Sequence, residues 1–221
     1  MNSGDLMRIY ELLLERFGHQ HWWPGDSSFE IIVGAILTQN TSWSNVEKAI
    51  INLKKSDNLS PQKLEKIDDE NLAQLIKPAG YYNIKAKRLK NFIKWLFDKY
   101  SGSLTNLDNI STDTLRQQLL SIKGIGQETA DSILLYALNR PVFVVDAYTA
   151  RIAARHHLIE PGAIYEEIQY LFESKLDRDT VLFNEYHALL VKLGKDFCKP
   201  QARCNGCPLE HLPHTLEFEY F

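Results

Sequence analysis

Apolar residues along this chain recur at three- and four-residue intervals over most of its length, the spacing that lines one face of an α-helix. Leu115, Leu119, Leu120 and Ile122 form one such strip, and Ala130, Ile133, Leu134 and Ala137 form another. Strict alternation of apolar and polar residues is not sustained anywhere, and no Asn-Gly turn joins two alternating segments. The pattern predicts an all-α fold with helices near 3–17, 28–39, 43–55, 61–76, 84–100, 111–121, 127–138, 146–157, 163–175 and 179–194. Asp26-Ser27-Ser28 offers an N-cap before Phe29, and Ser60-Pro61 places proline in a first helical turn. Pro78-Ala79-Gly80, Ser101-Gly102 and Pro161-Gly162 end helices. These breaks divide the chain into a middle domain, 29–139, and a second domain made of 1–28 together with 140–221.

Composition narrows the class. With 44% hydrophobic and 24% charged residues over 221 positions, the chain is that of a globular protein. The apolar runs 29–37 and 133–138 are too short to span a bilayer. Glu11 and Glu15 interrupt the apolar part of the first helix, unlike a secretory leader. A cytoplasmic monomer with no membrane partner is expected. The formal net charge of −3 gives no overall attraction for a polyanion, so any nucleic-acid surface has to be local. The cysteines, Cys198, Cys204 and Cys207, are an odd number crowded into one segment, which argues for the remnant of a metal site rather than a disulfide framework.

The most informative chemistry lies in Lys123-Gly124-Ile125-Gly126 and in Asp146, which follows the apolar pair Val144-Val145. Two glycines between helical segments make a tight hairpin whose amides and following helix N-terminus can hold a phosphate. Lys123 adds charge at longer range. Taken alone, Gly-Ile-Gly is equally a plain turn between core helices, and Asp146 is equally the cap of the helix that starts at Ala147. Lys85, Lys87, Arg88, Lys90 and Lys94 share a helix with apolar Ile84, Leu89, Phe92, Ile93 and Leu96, the arrangement of a solvated charged face.

The residues from Leu120 to Ala137 and from Val144 to Arg151 closely resemble the helix-hairpin-helix and Gly/Pro…Asp signature of the endonuclease III superfamily of DNA glycosylases. Further matches are Phe29-Glu30, Leu37-Thr38-Gln39-Asn40-Thr41, Gly80-Tyr81-Tyr82-Asn83-Ile84-Lys85-Ala86 and Cys204-Asn205-Gly206-Cys207-Pro208. The resemblance implies a two-domain α-helical glycosylase fold with its active site in an interdomain cleft. It also implies double-stranded DNA carrying a damaged base as partner, and Asp146 as the catalytic carboxylate. Breaking an N-glycosidic bond builds oxocarbenium-like charge on the sugar, which a desolvated carboxylate stabilises while it orients a water.

Strand-cleaving members of that superfamily carry a lysine where this chain has Glu128, and a carboxylate forms no Schiff base. A monofunctional enzyme is therefore expected, with weak or absent lyase activity. Lys-Gly-Ile-Gly-x-Glu-Thr-Ala-Asp, together with Trp22-Trp23-Pro24, looks most like the 3-methyladenine DNA glycosylase branch. The resemblance makes Trp22 and Trp43 the rings that sandwich an extruded alkylated purine, whose positive charge suits an electron-rich indole. Trp23 is assigned to packing. Gln39 matches the residue that fills the gap left by base flipping, Asn40 supports that loop, and Lys195 falls near the pocket. The rival functions are an endonuclease III-like glycosylase for oxidised or mismatched pyrimidines and a non-catalytic DNA-binding module.

Many relatives bind a [4Fe-4S] cluster through four cysteines. This chain has one shortened spacing, and Pro213 stands at the fourth position, so the usual ligand set cannot form. The expectation is a metal-free loop anchored by Leu209, Leu212, Leu216 and Phe218. The alternative is an iron-sulfur or zinc site completed by His211 or His214.

Overall fold

A computed structural model describes residues 3–160 and 162–216; Pro161 and Phe218 lie outside that range. The described residues form two compact units, one from the segment up to Trp23 together with the described residues from Pro141 onward, the other from Pro24–Arg140. Residues 24–28 lie in the Pro24–Arg140 unit. Lys54 bridges to Asp26 and Glu30, both at 2.7 Å, and this anchors the segment to the middle unit's own helices.

Within Pro24–Arg140, α2 (Ser28–Leu37) is buried along nearly its whole length and packs on α3 (Trp43–Lys55). Ser27 caps α2 by accepting the Glu30 amide at 3.2 Å, as the Asp26-Ser27-Ser28 pattern predicts. The helix expected at 61–76 is two: α4 (Pro61–Lys66) and α5 (Asp69–Leu75). Ile67 turns extended, and the Asp68 carboxylate then accepts the Asn71 amide at 2.8 Å. Apolar periodicity carried across this internal cap, whose signal is local and polar. The unit continues through α6 (Tyr82–Tyr100), α7 (Thr112–Leu120) and α8 (Gln127–Ser132). A wide π-turn, Ile133–Ala137, extends α8 against α2. Each residue of that turn is buried, so the segment has no solvent face.

Lys85 departs most from expectation. It belongs to the core, 1% exposed, and its ammonium donates to the carbonyls of Leu37 at 2.8 Å and Ala79 at 2.7 Å. Burial, with Arg88 nearby, pulls its pKa down to about 8. The sequence pattern cannot separate a lysine that caps a neighbouring helix from one that points to water.

The other unit contains α1 (Ser3–Phe17), α9 (Ala147–Arg155), α10 (Tyr165–Lys175) and α11 (Thr180–Asp196). Its core centres on Phe143, stacked on Phe172 at 4.1 Å and met edge-on by Phe183 and Tyr186. The Tyr186 hydroxyl donates to the Leu6 carbonyl at 2.8 Å, tying α11 to α1. Gly194 faces the ring of Tyr148, and a β-carbon there would overlap it, so glycine sets how closely α9 lies on α11. No helix among the described residues is long and apolar enough to cross a membrane.

Replacing Lys85 by Met is expected to leave two buried carbonyls without a donor and to cost about 2 kcal/mol. Urea unfolding of the variant measures this; a loss close to zero means that the ammonium contributes nothing net.

Candidate active site

Asp146 stands at the junction of a buried extended segment and a helix. Val142, Phe143, Val144 and Val145 are core residues, and they deliver Asp146 to the N-terminus of α9. There its Oδ1 accepts the Thr149 amide at 2.7 Å. The cap and the candidate carboxylate are therefore one residue, and both sequence possibilities for Asp146 are compatible. The side chain is 11% exposed, and Oδ2 lies 3.6 Å from Nε2 of His187 on α11. Burial lowers the His187 pKa; Asp146 opposes that shift and Lys195 adds to it.

Trp22 is half-buried. The segment before it is strapped to α11, where the Glu185 carboxylate accepts the Gln20 amide at 2.7 Å and pairs with His19 at 3.5 Å. The ammonium of exposed Lys195 lies 5.7 Å from the Trp22 ring centroid, and Trp23 meets Trp22 edge-on at 5.4 Å. One unit thus gathers Asp146, His187, Lys195 and Trp22. Trp43, half-buried, opens α3 in the other unit.

The hairpin between α7 and α8 has the expected form, but its two glycines differ. Gly124 has φ 98°, and a β-carbon on it would strike Arg88. Gly126 has φ −97° and ψ −179°, open to any residue, and open space lies where its side chain would be. Only Gly124 therefore needs the backbone freedom that glycine alone has. The smallness of Gly126 matters for what approaches from outside. Lys123 is exposed, and its carbonyl accepts from Asn91 at 2.9 Å.

Gln39 is engaged with the hairpin: its amide donates to the Gly124 carbonyl at 3.0 Å and to Thr129 Oγ1 at 2.8 Å. Its carbonyl accepts from Arg88. Asn40, exposed with φ 54°, turns the chain away after α2 in the left-handed region that asparagine tolerates. Arg88, expected on the solvated face, thereby joins this latch.

Cys198, Cys204, Cys207 and His214 line one cavity of about 20 Å³, room for about one water. Cys198 Sγ accepts from Arg155 at 3.3 Å, and burial raises the Cys207 thiol pKa. His211 is 88% exposed and pairs with Glu210, so it does not complete this set. Among the described residues, no three His, Cys, Asp or Glu are grouped to hold a metal ion. As arranged, these side chains do not fit a four-iron cluster. The segment is held instead by Arg151, which donates to the Cys198 carbonyl at 2.7 Å, and by Arg155, which donates to Lys199 and Pro200. Leu209 is fully buried, whereas Leu216 is half exposed rather than an anchor.

A profile of the HhH-GPD superfamily base excision DNA repair proteins matches residues 33–178. The chain belongs to this superfamily. A protein of Methanocaldococcus jannaschii that bears the name of a DNA repair glycosylase is 51% identical over 209 residues, 94% of each chain. Endonuclease III of Thermotoga maritima is 30% identical over 200 residues, 90% of this chain and 87% of its own. The crystal structure of Helicobacter pylori 3-methyladenine DNA glycosylase bound to 1,N6-ethenoadenine superposes with a TM-score of 0.73 at 30% identity, over 88% of this chain and 98% of that one. A non-covalent endonuclease III–DNA complex superposes at 0.81 over 96% and 95% of the chains, with 21% identity, a likeness of fold. The HhH-GPD match includes the hairpin and Asp146 but not Trp22, His187, Lys195 or the cysteines.

Sequence reasoning missed His187. Its signal is a histidine in an otherwise apolar stretch of α11, two turns before Lys195 on the same helical face.

Two outcomes follow for the HhH-GPD hairpin and its neighbours. Gly124→Ala is expected to destabilise the protein by about 1–2 kcal/mol through backbone strain and displacement of Arg88, while Gly126→Ala leaves the melting temperature unchanged. Equal melting temperatures for the two variants would refute the distinction. Separately, burial lowers the pKa of His187 below 6.5 and that of His156 to about 4. The unfolded imidazoles take protons that the folded ones refuse, so the unfolding free energy should fall as pH drops from about 6.5 towards 4. His156→Asn should flatten that slope in urea titrations.

Proposed function

We propose that this HhH-GPD protein is a monofunctional DNA glycosylase, acting as a monomer without a cofactor, that hydrolyses the N-glycosidic bond of alkylated purines such as 3-methyladenine in double-stranded DNA. The observation that carries the proposal is Asp146: a nearly buried carboxylate with one oxygen locked by a helix amide and the other left to act. As the damaged base departs with the bonding electrons, positive charge spreads over C1′ and the ring oxygen of the deoxyribose. Asp146 stabilises that charge and orients a water whose oxygen bonds to C1′ and whose proton leaves to the carboxylate. The products are the free base and an abasic site.

Three further observations support the finer assignment. Glu128 is exposed in the first turn of α8 and offers no amine, so water rather than a protein nitrogen attacks the sugar. Trp22 presents a half-buried indole beside Lys195, a surface on which a purine stacks, with Trp43 as the second ring. The likeness to the Helicobacter pylori enzyme extends over nearly all of that chain. On the DNA side, the Gly124–Gly126 turn and Lys123 face the phosphates. Gln39 exchanges its bonds to Gly124 and Thr129 for the gap in the duplex.

Purified protein incubated with duplexes carrying 3-methyladenine, thymine glycol or no lesion tests this directly. Base release confined to the methylated duplex, with nicks only after alkali, is the expected result. Nicking of thymine glycol DNA without alkali would replace it with the endonuclease III-like function, and no release at all with a binding module. Asp146→Asn should abolish turnover while DNA affinity stays within a fewfold of wild type; a large loss of affinity counts against its assigned role.

A further inference from the structure

We infer that His187 is a positioning residue for Asp146, holding the second carboxylate oxygen in the attitude that the glycosylase chemistry needs. The inference rests on the proposed role of Asp146 and extends it to a residue on a different helix.

The placement of His187 is costly unless it serves a partner. It lies 4% exposed in α11, among buried Ala188, Leu189, Leu190 and Val191, where an aliphatic side chain would suffer no desolvation. Its Nε2 sits 3.6 Å from Asp146 Oδ2. The charged groups that bear on the imidazole are Asp146, at the start of α9, and Lys195, on α11 itself. Tyr186, the preceding residue on α11, spends its hydroxyl on the Leu6 carbonyl of α1, and on α1 the pKa of Tyr10 is raised by burial and by Glu185 and Asp179.

A capping bond alone leaves the carboxylate one freedom. With Oδ1 fixed by the Thr149 amide at 2.7 Å, the group still swings about that anchor, and the swing moves Oδ2, the oxygen left to face sugar and water. The His187 imidazole, whose Nε2 stands 3.6 Å from Oδ2, slightly beyond hydrogen-bond distance, limits this freedom by closing to a hydrogen bond when Oδ2 swings toward it. Because Gly194 sets the approach of α11 to α9, the imidazole and the carboxylate are carried by two rigidly packed helices. A displacement of about 1 Å in a reacting group costs on the order of 100-fold in rate, so the second grip has a large effect to protect.

The test compares His187→Gln, His187→Asn and His187→Leu in the full-length protein, with single-turnover base release measured at saturating enzyme on the duplex that wild type cleaves. Gln places an amide N–H about where Nε2 stands, while Asn falls short and Leu has no donor. The expected result is a fall of about 100-fold in the maximal rate for Leu and Asn, recovery to within about tenfold of wild type for Gln, and little change in the half-saturating concentration for any of them. Melting temperatures check folding, and the Gln–Asn pair keeps the comparison decisive if Leu fails to fold. Equal rates for Gln and Asn, or a Leu variant as fast as wild type, would overturn the role of His187 alone. A wild-type protein that releases no base from any duplex overturns the glycosylase proposal and this inference with it.

Discussion

The hydrogen bond from the Thr149 amide to Asp146 Oδ1 at 2.7 Å is the constraint on which the candidate site depends. A helix N-terminus has unsatisfied amides that must find acceptors, and here the acceptor is the carboxylate proposed to do the chemistry. Because the cap is also part of α9, the carboxylate inherits the precision of everything that fixes α9: the buried approach through Val142 to Val145, the stacked Phe143–Phe172 core, and the close seat on α11 that Gly194 allows. Fold stability and placement of the candidate carboxylate rest on the same set of contacts.

The hairpin uses the opposite strategy. It holds its shape with backbone and small residues and keeps side chains out of the way, Gly124 in a conformation closed to other residues and Gly126 beside open space. Gln39 and Arg88 close the turn from behind, while Lys85 fixes the end of α2 from which Gln39 projects. The residues proposed to meet DNA are thus supported by one buried cation and one latched guanidinium, each satisfied inside the unit.

Much of this was legible in the sequence because the signals are local. Helical spacing predicts helices at nearly every place where one occurs, and the Ser27 and Asp146 caps are read from side chains that act within three residues of themselves. The family likeness carried by the hairpin and by Val144-Val145-Asp146 agrees with the HhH-GPD match. What stayed hidden depends on partners distant in sequence. Nothing near Lys85 announces the Leu37 carbonyl, nothing near His187 announces Asp146, and the break at Asp68 is a polar cap inside an unbroken apolar period. The difference between Gly124 and Gly126 depends on Arg88, which comes from another helix.

The basic face of α6 shows how such partners alter a functional argument. Five cations along one helix suggest a track for phosphates, yet four are engaged within the protein, Lys85 on two carbonyls, Arg88 on Gln39, Lys90 on the carbonyls of Glu65 and Ile67, and Lys94 on Asp98, and of the five Lys87 is the exposed one outside these bonds. A charge already neutralised or hydrogen-bonded within the protein has to give up that bond before it can displace a counterion from DNA. In a chain of net charge −3, the proposed grip on the duplex therefore falls mainly to the hairpin, through its amides and exposed Lys123. Grip of that kind positions a protein on any sequence, and in the proposed function the choice of base is left to other residues, Trp22 and Trp43.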